Sequence, residues 1–367
     1  MKERLNTIEL KEKKLLLYII KKSYNKVYFK NLGVVMSVRE SLIKHLTSIL
    51  RASEGTLLVV LCDQNGLSIA KIGRKSNIDL NSNQITSLAS AAFSASQENW
   101  EDLNIKDQVI SFSYFEKVCL ITIKINETLL TIVHDYHKKW PLDADNLASA
   151  MYYLKQRLNE FFGSGEESEK EVELFCDRVR SAIYLFGMGT EVPFNSYTPE
   201  SFDKLNLLNV ISDVLDSIQN PIFIRYSLVN PSGLTLDARD VSGQNLPISV
   251  EAFSANANVA FQKMKEESEG SSIGDLLCYV AISGQDTENY YGLITCPCGK
   301  LNFSDSNDKS NLEEISFIGL FTLTYGGIPV ICESRNVIYS ILKILGTEQT
   351  TENFIQSANV LTSFKYD

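Results

Sequence analysis

Residues 57–98 read LLVVLCDQNGLSIAKIGRKSNIDLNSNQITSLASAAFSASQE, and this stretch decides the fold. An apolar run leads into Asp63-Gln64-Asn65-Gly66, and the Asn-Gly pair is a strong signal for a tight turn between two strands. A second apolar run follows, and then a segment unusually rich in Ala and Ser. The pattern predicts a strand, a tight turn, a second strand and a helix over residues 83–100.

The same pattern recurs later in the chain. Residues 224–267 read IRYSLVNPSGLTLDARDVSGQNLPISVEAFSANANVAFQKMKEE, with a turn at Asn230-Pro231-Ser232-Gly233 and an Ala-rich helix predicted over 249–267. NGLSIAK in the first stretch aligns with SGLTLDAR in the second. Such self-similarity indicates an internal duplication, and a chain of 367 residues is long enough for two domains.

The two Ala-rich helices share an unusual pattern with two faces. One face carries a stripe of larger apolar side chains that predicts packing on a sheet. The other face carries small side chains, which allow a second backbone to come close. Each helix is therefore predicted to lie between its own sheet and a partner. The residues predicted to form this domain-pairing interface are Ser87, Ala91, Ser94, Ala95, Ala252, Ala255, Asn256 and Val259.

A first domain is predicted over residues 38–163. Its opening helix has apolar residues at helical spacing, and Ser37 followed by Glu40 fits a capping box. Pro141 stands at the first turn of its closing helix. The further elements predicted here are a helix over 38–51, strands over 107–114, 118–125 and 128–134, and a helix over 141–162. The expected fold is α+β, an antiparallel five-stranded sheet flanked by helices.

A second domain of the same class is predicted over residues 205–346. An acidic linker over 164–204, with a connecting helix at 172–186, precedes it, and a tail over 347–367 follows it. A polar loop is predicted over 302–311. The further elements predicted in this domain are helices over 205–218 and 336–345 and strands over 275–283, 290–296, 314–324 and 328–332.

Composition excludes some classes of function. Hydrophobic residues make up 44% of the chain and charged residues 22%, as in ordinary globular proteins. The net charge is −10, yet the first 51 residues hold 12 Lys or Arg against 4 Glu. The acidic remainder argues against general nucleic-acid binding by the domains, because phosphate contacts need basic side chains. The seven cysteines are best explained as buried thiols. With no signal peptide or membrane-spanning run in view, a cytoplasmic location is expected.

The basic segment over residues 1–37 is predicted to contain a helix over 8–22, where apolar residues alternate with lysines. Three interpretations stay open. The helix could pack on the first domain with its lysines solvated, anchor to a membrane surface or an acidic partner, or begin a winged helix. The absence of a basic recognition helix after Met36 argues against the third.

The order of elements, together with VVLCDQNGLSIAK over 59–71, the Ala-rich residues 85–95 and the apolar residues 128–133, resembles the Roadblock/dynein light chain family. That family belongs to the profilin-like group of α+β folds. The resemblance covers about 38–162 in the first domain and 205–267 in the second. Beyond that the second domain departs from the pattern, and a related longin-like variant also fits there.

The resemblance implies domains that pair two at a time, with their central helices against one another across a pseudo-twofold axis. Two copies in one chain then imply an internal pseudo-dimer. It also implies a protein without catalytic activity of its own, which acts as a platform for small GTPases or as a scaffold subunit in motor, trafficking or signalling complexes.

Motifs for catalysis, cofactors and metals are missing from the sequence. The sequence has three histidines, His45, His134 and His137, and the last two are wrongly spaced for two metal ligands on one helical face and follow a predicted strand. Cys296-Pro297-Cys298-Gly299 lacks the second cysteine pair of a zinc ribbon. No phosphate-binding loop or dinucleotide fingerprint is present. No catalytic, cofactor or metal site is predicted, and a GTPase would be a partner in trans.

The predicted function is therefore a non-enzymatic, small-GTPase-binding regulator or scaffold. Other Roadblock-like or scaffold subunits are further expected partners. The alternative is a ligand-sensing profilin-like module whose basic N-terminal helix contacts a membrane or nucleic acid. A gain of thermal stability with a small molecule alone would favour the sensor.

Overall fold

The computed structural model describes residues 38–103, 107–135, 142–162, 167–186, 223–240, 248–283, 289–302 and 312–324. Several predicted features lie outside these residues. They are the N-terminal segment 1–37, the helices over 205–218 and 336–345, the strand over 328–332, and the tail over 347–367. The predicted domain boundaries stay predictions.

The described elements of the first half follow the predicted order closely. They are α1 (Val38–Arg51), β1 (Thr56–Asp63), β2 (Ser68–Gly73), α2 (Ser82–Asp102), β3 (Gln108–Phe115), β4 (Cys119–Ile125), β5 (Thr128–His134), α3 (Ala144–Phe162) and α4 (Glu169–Phe186). The predicted connecting helix corresponds to α4.

The described elements of the second half include one departure from prediction. They are β6 (Phe223–Val229), β7 (Thr235–Asp240), α5 (Val250–Ser268), β8 (Leu276–Ser283), β9 (Asn289–Asn302) and β10 (Leu312–Thr324). β9 runs through Cys296-Pro297-Cys298, beyond its predicted end at 296, because it pairs with β10 as far as Asn302 opposite Leu312. Pro297 is tolerated because the register shifts beside it, and a bulge is a place where a strand accommodates proline.

All ten described strands form one antiparallel sheet in the order β2-β1-β5-β4-β3-β8-β9-β10-β6-β7. The α+β prediction is confirmed. Each half contributes five neighbouring strands, and the order from either outer edge inward is the same when corresponding strands are compared. The two halves meet where β3 pairs with β8.

Helices cover both faces of the sheet, which explains why the central strands read as continuous apolar runs rather than alternating ones. One face packs against α1, α3 and α4, and Val59 and Leu61 of β1 point to it. The other face packs against α2 and α5, and Leu58 and Val60 point to that side. Burial on both faces accounts for the apolar character of β1.

The strand–turn–strand unit has the same geometry in both halves. The Asp63 carboxylate accepts hydrogen bonds from the backbone N–H groups of Asn65 and Leu67 at 3.0 and 2.8 Å. In the second half the Asn230 side chain accepts from the Leu234 N–H at 2.8 Å. Both turns contain a glycine with positive φ, and the β1–β2 and β6–β7 ladders shift register after Leu61 and after Leu228.

The central helices α2 and α5 begin at side chains that satisfy free N–H groups of the first turn. The Asn81 side chain accepts from the N–H of Asn83 at 3.0 Å, and the Ser249 hydroxyl accepts from that of Ala252 at 3.2 Å. Counted from these N-caps, Phe112 in β3 and Val280 in β8 occupy the same position of their halves. Phe112 and Val280 pair with one another, as a local twofold axis at the junction requires.

Candidate interaction surface and junction of the two halves

The helices α2 and α5 lie together on one face of the sheet. The Asn256 side-chain amide of α5 donates a hydrogen bond to the Asp102 carboxylate at the end of α2, with an N–O distance of 2.7 Å. Below them, both helices contribute to one hydrophobic cluster. Its members from the helices are Ile85, Leu88, Ala92, Trp100, Phe253, Ala257, Phe261 and Met264.

The structure distributes the eight predicted pairing residues unevenly. Three of them are half-buried: Ala91, Ala95 and Ala255. The other five are exposed: Ser87, Ser94, Ala252, Asn256 and Val259. Asn256 reaches the other helix through its bond to Asp102, whereas Val259 is 62% exposed. The pairing role of the set as a whole stays a prediction.

The turn of each half lies against its own central helix. The Ser90 hydroxyl of α2 donates to the Gln64 carbonyl at 2.5 Å, and the Asn258 amide of α5 donates to the Asn230 carbonyl at 3.0 Å. Each turn is therefore held against its own helix. Next to the turn glycines stand two apolar side chains, Leu67 and Leu234, which are 52% and 63% exposed.

We use the term helical surface for the five exposed residues of the predicted pairing set together with these two leucines. Its members are Leu67, Ser87, Ser94, Leu234, Ala252, Asn256 and Val259. Tyr153 of α3, 59% exposed, is a large exposed side chain on a helix of the opposite face. The exposed apolar groups of the helical surface are available to a partner.

A buried polar cluster at the junction was not predicted from the sequence. It consists of Ser96 and Trp100 of α2, Gln108 of β3 and Tyr279 of β8, each at most 1% exposed. The Ser96 hydroxyl oxygen lies 2.5 Å from both the Gln108 side-chain carbonyl oxygen and the Tyr279 hydroxyl oxygen. The Trp100 indole N–H donates to that carbonyl at 3.0 Å. We call these four residues the junction network.

The Tyr279 hydroxyl is held by groups of the first half. It receives a hydrogen bond from the Gln108 amide at 3.3 Å and donates to the backbone carbonyl of Ala92 at 3.3 Å. Burial raises the pKa of Tyr279 above its ordinary value of 10.0, while hydrogen bonds from Ser96 and other neighbours oppose that effect. The hydroxyl therefore stays neutral at physiological pH. A sequence signal existed in Ser96, a polar residue within the apolar stripe of α2.

The junction network occurs on one side of the local twofold axis. Counted from the helix N-caps, Met264 stands where Ser96 stands, Leu276 where Gln108 stands, and Ser268 where Trp100 stands. Ser111 occupies the position that corresponds to Tyr279. The second side therefore lacks the side-chain partners that the Tyr279 hydroxyl has in the first half.

Five cysteines of the described residues are buried thiols outside any disulfide: Cys62, Cys119, Cys176, Cys278 and Cys296. Burial raises the pKa values of Cys62 and Cys176 to about 12, and it also raises those of Cys119 and Cys278. These thiols are therefore protonated and poorly nucleophilic. Within the part of the chain that the structure describes, no three His, Cys, Asp or Glu side chains are grouped to hold a metal ion.

The histidines are placed differently from one another. His134 is buried at the end of β5, and burial, together with the nearby Arg157, lowers the pKa of His45. His137 lies outside the described residues.

Among the described helices, none combines the length and apolar character needed to cross a membrane.

Comparison with known proteins gives weak likenesses. No family model matches the chain, and no curated protein matches it. Among solved structures, a Roadblock/LC7 domain from Streptomyces avermitilis is 16% identical over 32% of this chain and 94% of its own, with a TM-score of 0.27.

Two further structures are of the same kind. The gliding protein MglB from Thermus thermophilus is 15% identical over 38% of this chain and 100% of its own, with a TM-score of 0.30. Myxococcus xanthus MglB is 17% identical over 37% of this chain and 98% of its own, with a TM-score of 0.28. TM-scores this low carry no argument about the fold or the function of this chain.

Proposed function

We propose that this chain is a non-enzymatic regulator or scaffold that binds a small GTPase, built from two Roadblock-like domains paired as an internal pseudo-dimer. The observation that carries the proposal is the junction, where β3 pairs with β8 so that Phe112 faces Val280, its counterpart in the other half. On one face of that joined sheet α2 and α5 lie side by side. This is the pairing that the family resemblance of residues 59–71 and 85–95 implies.

The proposed duplication is supported by features that a shared strand order alone does not require. A side-chain-bonded turn, a glycine with positive φ and a register shift recur at corresponding places in the two halves. The residue that holds the turn to the helix also recurs, as Ser90 in α2 and Asn258 in α5. Both stand nine positions after their helix N-caps, Asn81 and Ser249.

We place the partner on the helical surface. Contiguous exposed apolar surface marks protein contacts, and we assign Leu67, Leu234 and Val259, which are all more than half exposed, to such a contact. The surrounding small residues leave the backbone of α2 and α5 accessible to a rigid partner. The nucleotide would be held by the GTPase itself.

The absence of catalysis in this chain is also part of the proposal. It is supported by the thiol pKa values, which disfavour nucleophilic cysteines at neutral pH. We also propose that the chain contacts other scaffold subunits. Its N-terminal segment would contact an acidic partner or a membrane.

The test is capture of partners from native lysate by the full chain, with GDP and with a non-hydrolysable GTP analogue. We expect a small GTPase whose enrichment changes with the nucleotide. Val259→Asp should lower the enrichment at least about tenfold, because a charge would replace an apolar contact. Tyr153→Asp, an equally exposed position on the opposite face, is the matched control and should bind like the unaltered chain.

Other outcomes separate the remaining possibilities. Enrichment that ignores the nucleotide would favour a scaffold over a regulator. Equal loss with both substitutions would contradict the helical surface as the binding site. Capture of no GTPase, together with a rise in melting temperature caused by a small molecule alone, would overturn the proposal in favour of the ligand sensor.

A further inference from the structure

Tyr279 is the residue of the second half that enters a polar pocket of the first half. It belongs to β8, yet its hydroxyl lies against Ser96 and the Ala92 carbonyl of α2 and against the amide of Gln108 in β3. All members of the junction network are excluded from water. A buried polar group is costly when its partner is removed, so the pocket and the tyrosine depend on one another.

The positions across the local twofold axis could not replace either component. Ser111 corresponds to Tyr279, and its side chain is too short to fill the space of a phenol ring. Met264 and Leu276 correspond to Ser96 and Gln108, and their side chains offer a buried hydroxyl no donor and only the weak thioether acceptor of Met264. The two sides of the junction are therefore not interchangeable.

Pairing of like halves from two chains would separate Tyr279 from its polar pocket. Two first halves together would present two polar pockets, each facing Ser111 and neither receiving a tyrosine. Two second halves together would bury two Tyr279 hydroxyls against Met264 and Leu276. Both arrangements remove hydrogen-bond partners from buried polar groups, and building such penalties into the wrong complexes is a general route to specificity.

We propose that the junction network selects the pairing of unlike halves and opposes the pairing of like halves between two copies of this chain. Tyr279 is the specificity-determining residue, and Ser96, Trp100 and Gln108 form its receptor. The inference rests on the pseudo-dimer part of the proposed function and deepens it, because it assigns the residues that keep a duplicated chain paired with itself.

The experiment uses a cross-link that forms in like pairing alone. In the native register Ser111 faces Ala281 and Ser113 faces Tyr279. In a pair of first halves related by the same twofold axis, Ser111 of one chain would face Ser113 of the other. Ser111→Cys with Ser113→Cys therefore creates a thiol pair between two chains that like pairing brings together, and directly opposed strand positions suit a disulfide.

The full chain with these two substitutions is treated with diamide, which takes one hydrogen from each thiol as the disulfide forms. With Tyr279 present, covalent dimers should be scarce. Adding Tyr279→Ser should raise their yield at least about tenfold, since unlike pairing then loses the Tyr279 hydrogen bonds and paired second halves no longer bury two tyrosine hydroxyls. Tyr279→Phe keeps the ring but removes the hydroxyl, and it should give a smaller rise in the same direction.

Tyr226→Ser is the matched control, because Tyr226 is also a buried tyrosine of the second half but packs on Phe317, on the opposite face of the sheet. Its covalent dimer yield should equal that of the chain with the two cysteines alone. An equal rise with Tyr226→Ser would show that general destabilisation is sufficient, and would overturn the inference.

Two further results would also overturn it. One is a folded Tyr279→Ser chain, judged by circular dichroism, that stays monomeric by light scattering. The other is a dimer that does not cross-link, which would mean exchange of unlike halves between chains. If Tyr279→Ser does not fold, Tyr279→Phe decides the question by the same yields. Failure to capture a GTPase would leave these yields unchanged, so the two proposals fail separately.

Discussion

The two halves of the sheet share one strand order but differ in the side chains that fill corresponding positions. Cys119 of β4 and Gly292 of β9 show this difference. In the first half, Cys119 faces Tyr114 on one side and His134 on the other. In the second half, Gly292 faces Ile282 and Phe321. A larger aromatic side chain thus stands opposite a glycine, where the first half has two side chains of intermediate size. The halves therefore share their strand order, while side-chain volume is divided differently between the paired residues at these corresponding positions.

The largest expected effect comes from disturbing that division of volume. A Cβ atom at position 292 would lie 2.0 Å from the Phe321 ring, and the ring is buried in the core without room to move. Gly292→Ala should lower the free energy of unfolding by about 3 kcal/mol, the upper part of the range for overpacking. The first-half counterpart, Cys119→Ala, should lower it by only about 1 kcal/mol, because it removes one buried atom. Denaturant titration measures both.

A second substitution gives the control for this explanation. Phe321→Leu in the Gly292→Ala background shortens the side chain that blocks the new methyl group. It should recover part of the lost stability, although Phe321→Leu alone is destabilising. If the double variant is less stable than the sum of the two single effects predicts, then the ring over Gly292 is not the cause.

The two turn glycines provide the next comparison. Gly66 and Gly233 have φ angles of +80° and +82°, which L-residues rarely adopt. A Cβ atom at Gly66 would lie 3.1 Å from the Thr86 carbonyl oxygen, whereas at Gly233 its nearest neighbours, in Ala255, would lie 3.8 Å away. Gly66→Ala should therefore cost about 2 kcal/mol and Gly233→Ala about 1 kcal/mol. Equal costs in a denaturant titration would show that backbone strain alone sets the effect.

Local signals made the strand–turn–strand–helix unit predictable from sequence. Asp63 and Gly66 mark the first turn, and their side-chain bond and positive φ are what the structure contains. The same holds for Gly233 in the second half. Each signal depends on residues a few positions apart, so a pattern in the sequence could contain it.

Features that depend on distant residues were not predictable in the same way. The extension of β9 through Pro297 follows from its pairing with β10, and no property of residues 296–298 themselves predicts it. The bond between Ser96 and Tyr279 joins residues 183 positions apart. Likewise, small side chains on α2 and α5 suit either a second helix or solvent, and composition could not show that Ser87 and Val259 are exposed.

The smallest expected effect is a pH-dependent contribution to the free energy of unfolding from an ion pair of the first half. Lys124 of β4 forms an ion pair with Asp107 at 2.9 Å, and the hydrogen bond from Lys124 holds the pKa of Asp107 below its ordinary value of 3.8. In the second half Asp275 is retained, but Pro297 stands where Lys124 stands. Pro297 cannot form the ion pair that Lys124 forms in the first half.

Because the pKa of Asp107 is lower in the folded chain than in the unfolded chain, the pair stabilises the fold above the unfolded pKa, and this contribution is lost as the pH falls through the folded pKa. The Asp107 side chain is 72% exposed, so Asp107→Asn should lower the free energy of unfolding at pH 7 by only about 0.5 kcal/mol. The difference from the unaltered chain should vanish in strong acid and shrink in high salt, which screens exposed pairs. Asp275→Asn is the matched control and should show no such salt dependence. A loss for Asp107→Asn that persists in acid would mean that packing of the side chain, and not its charge, is what the first half gains from Asp107.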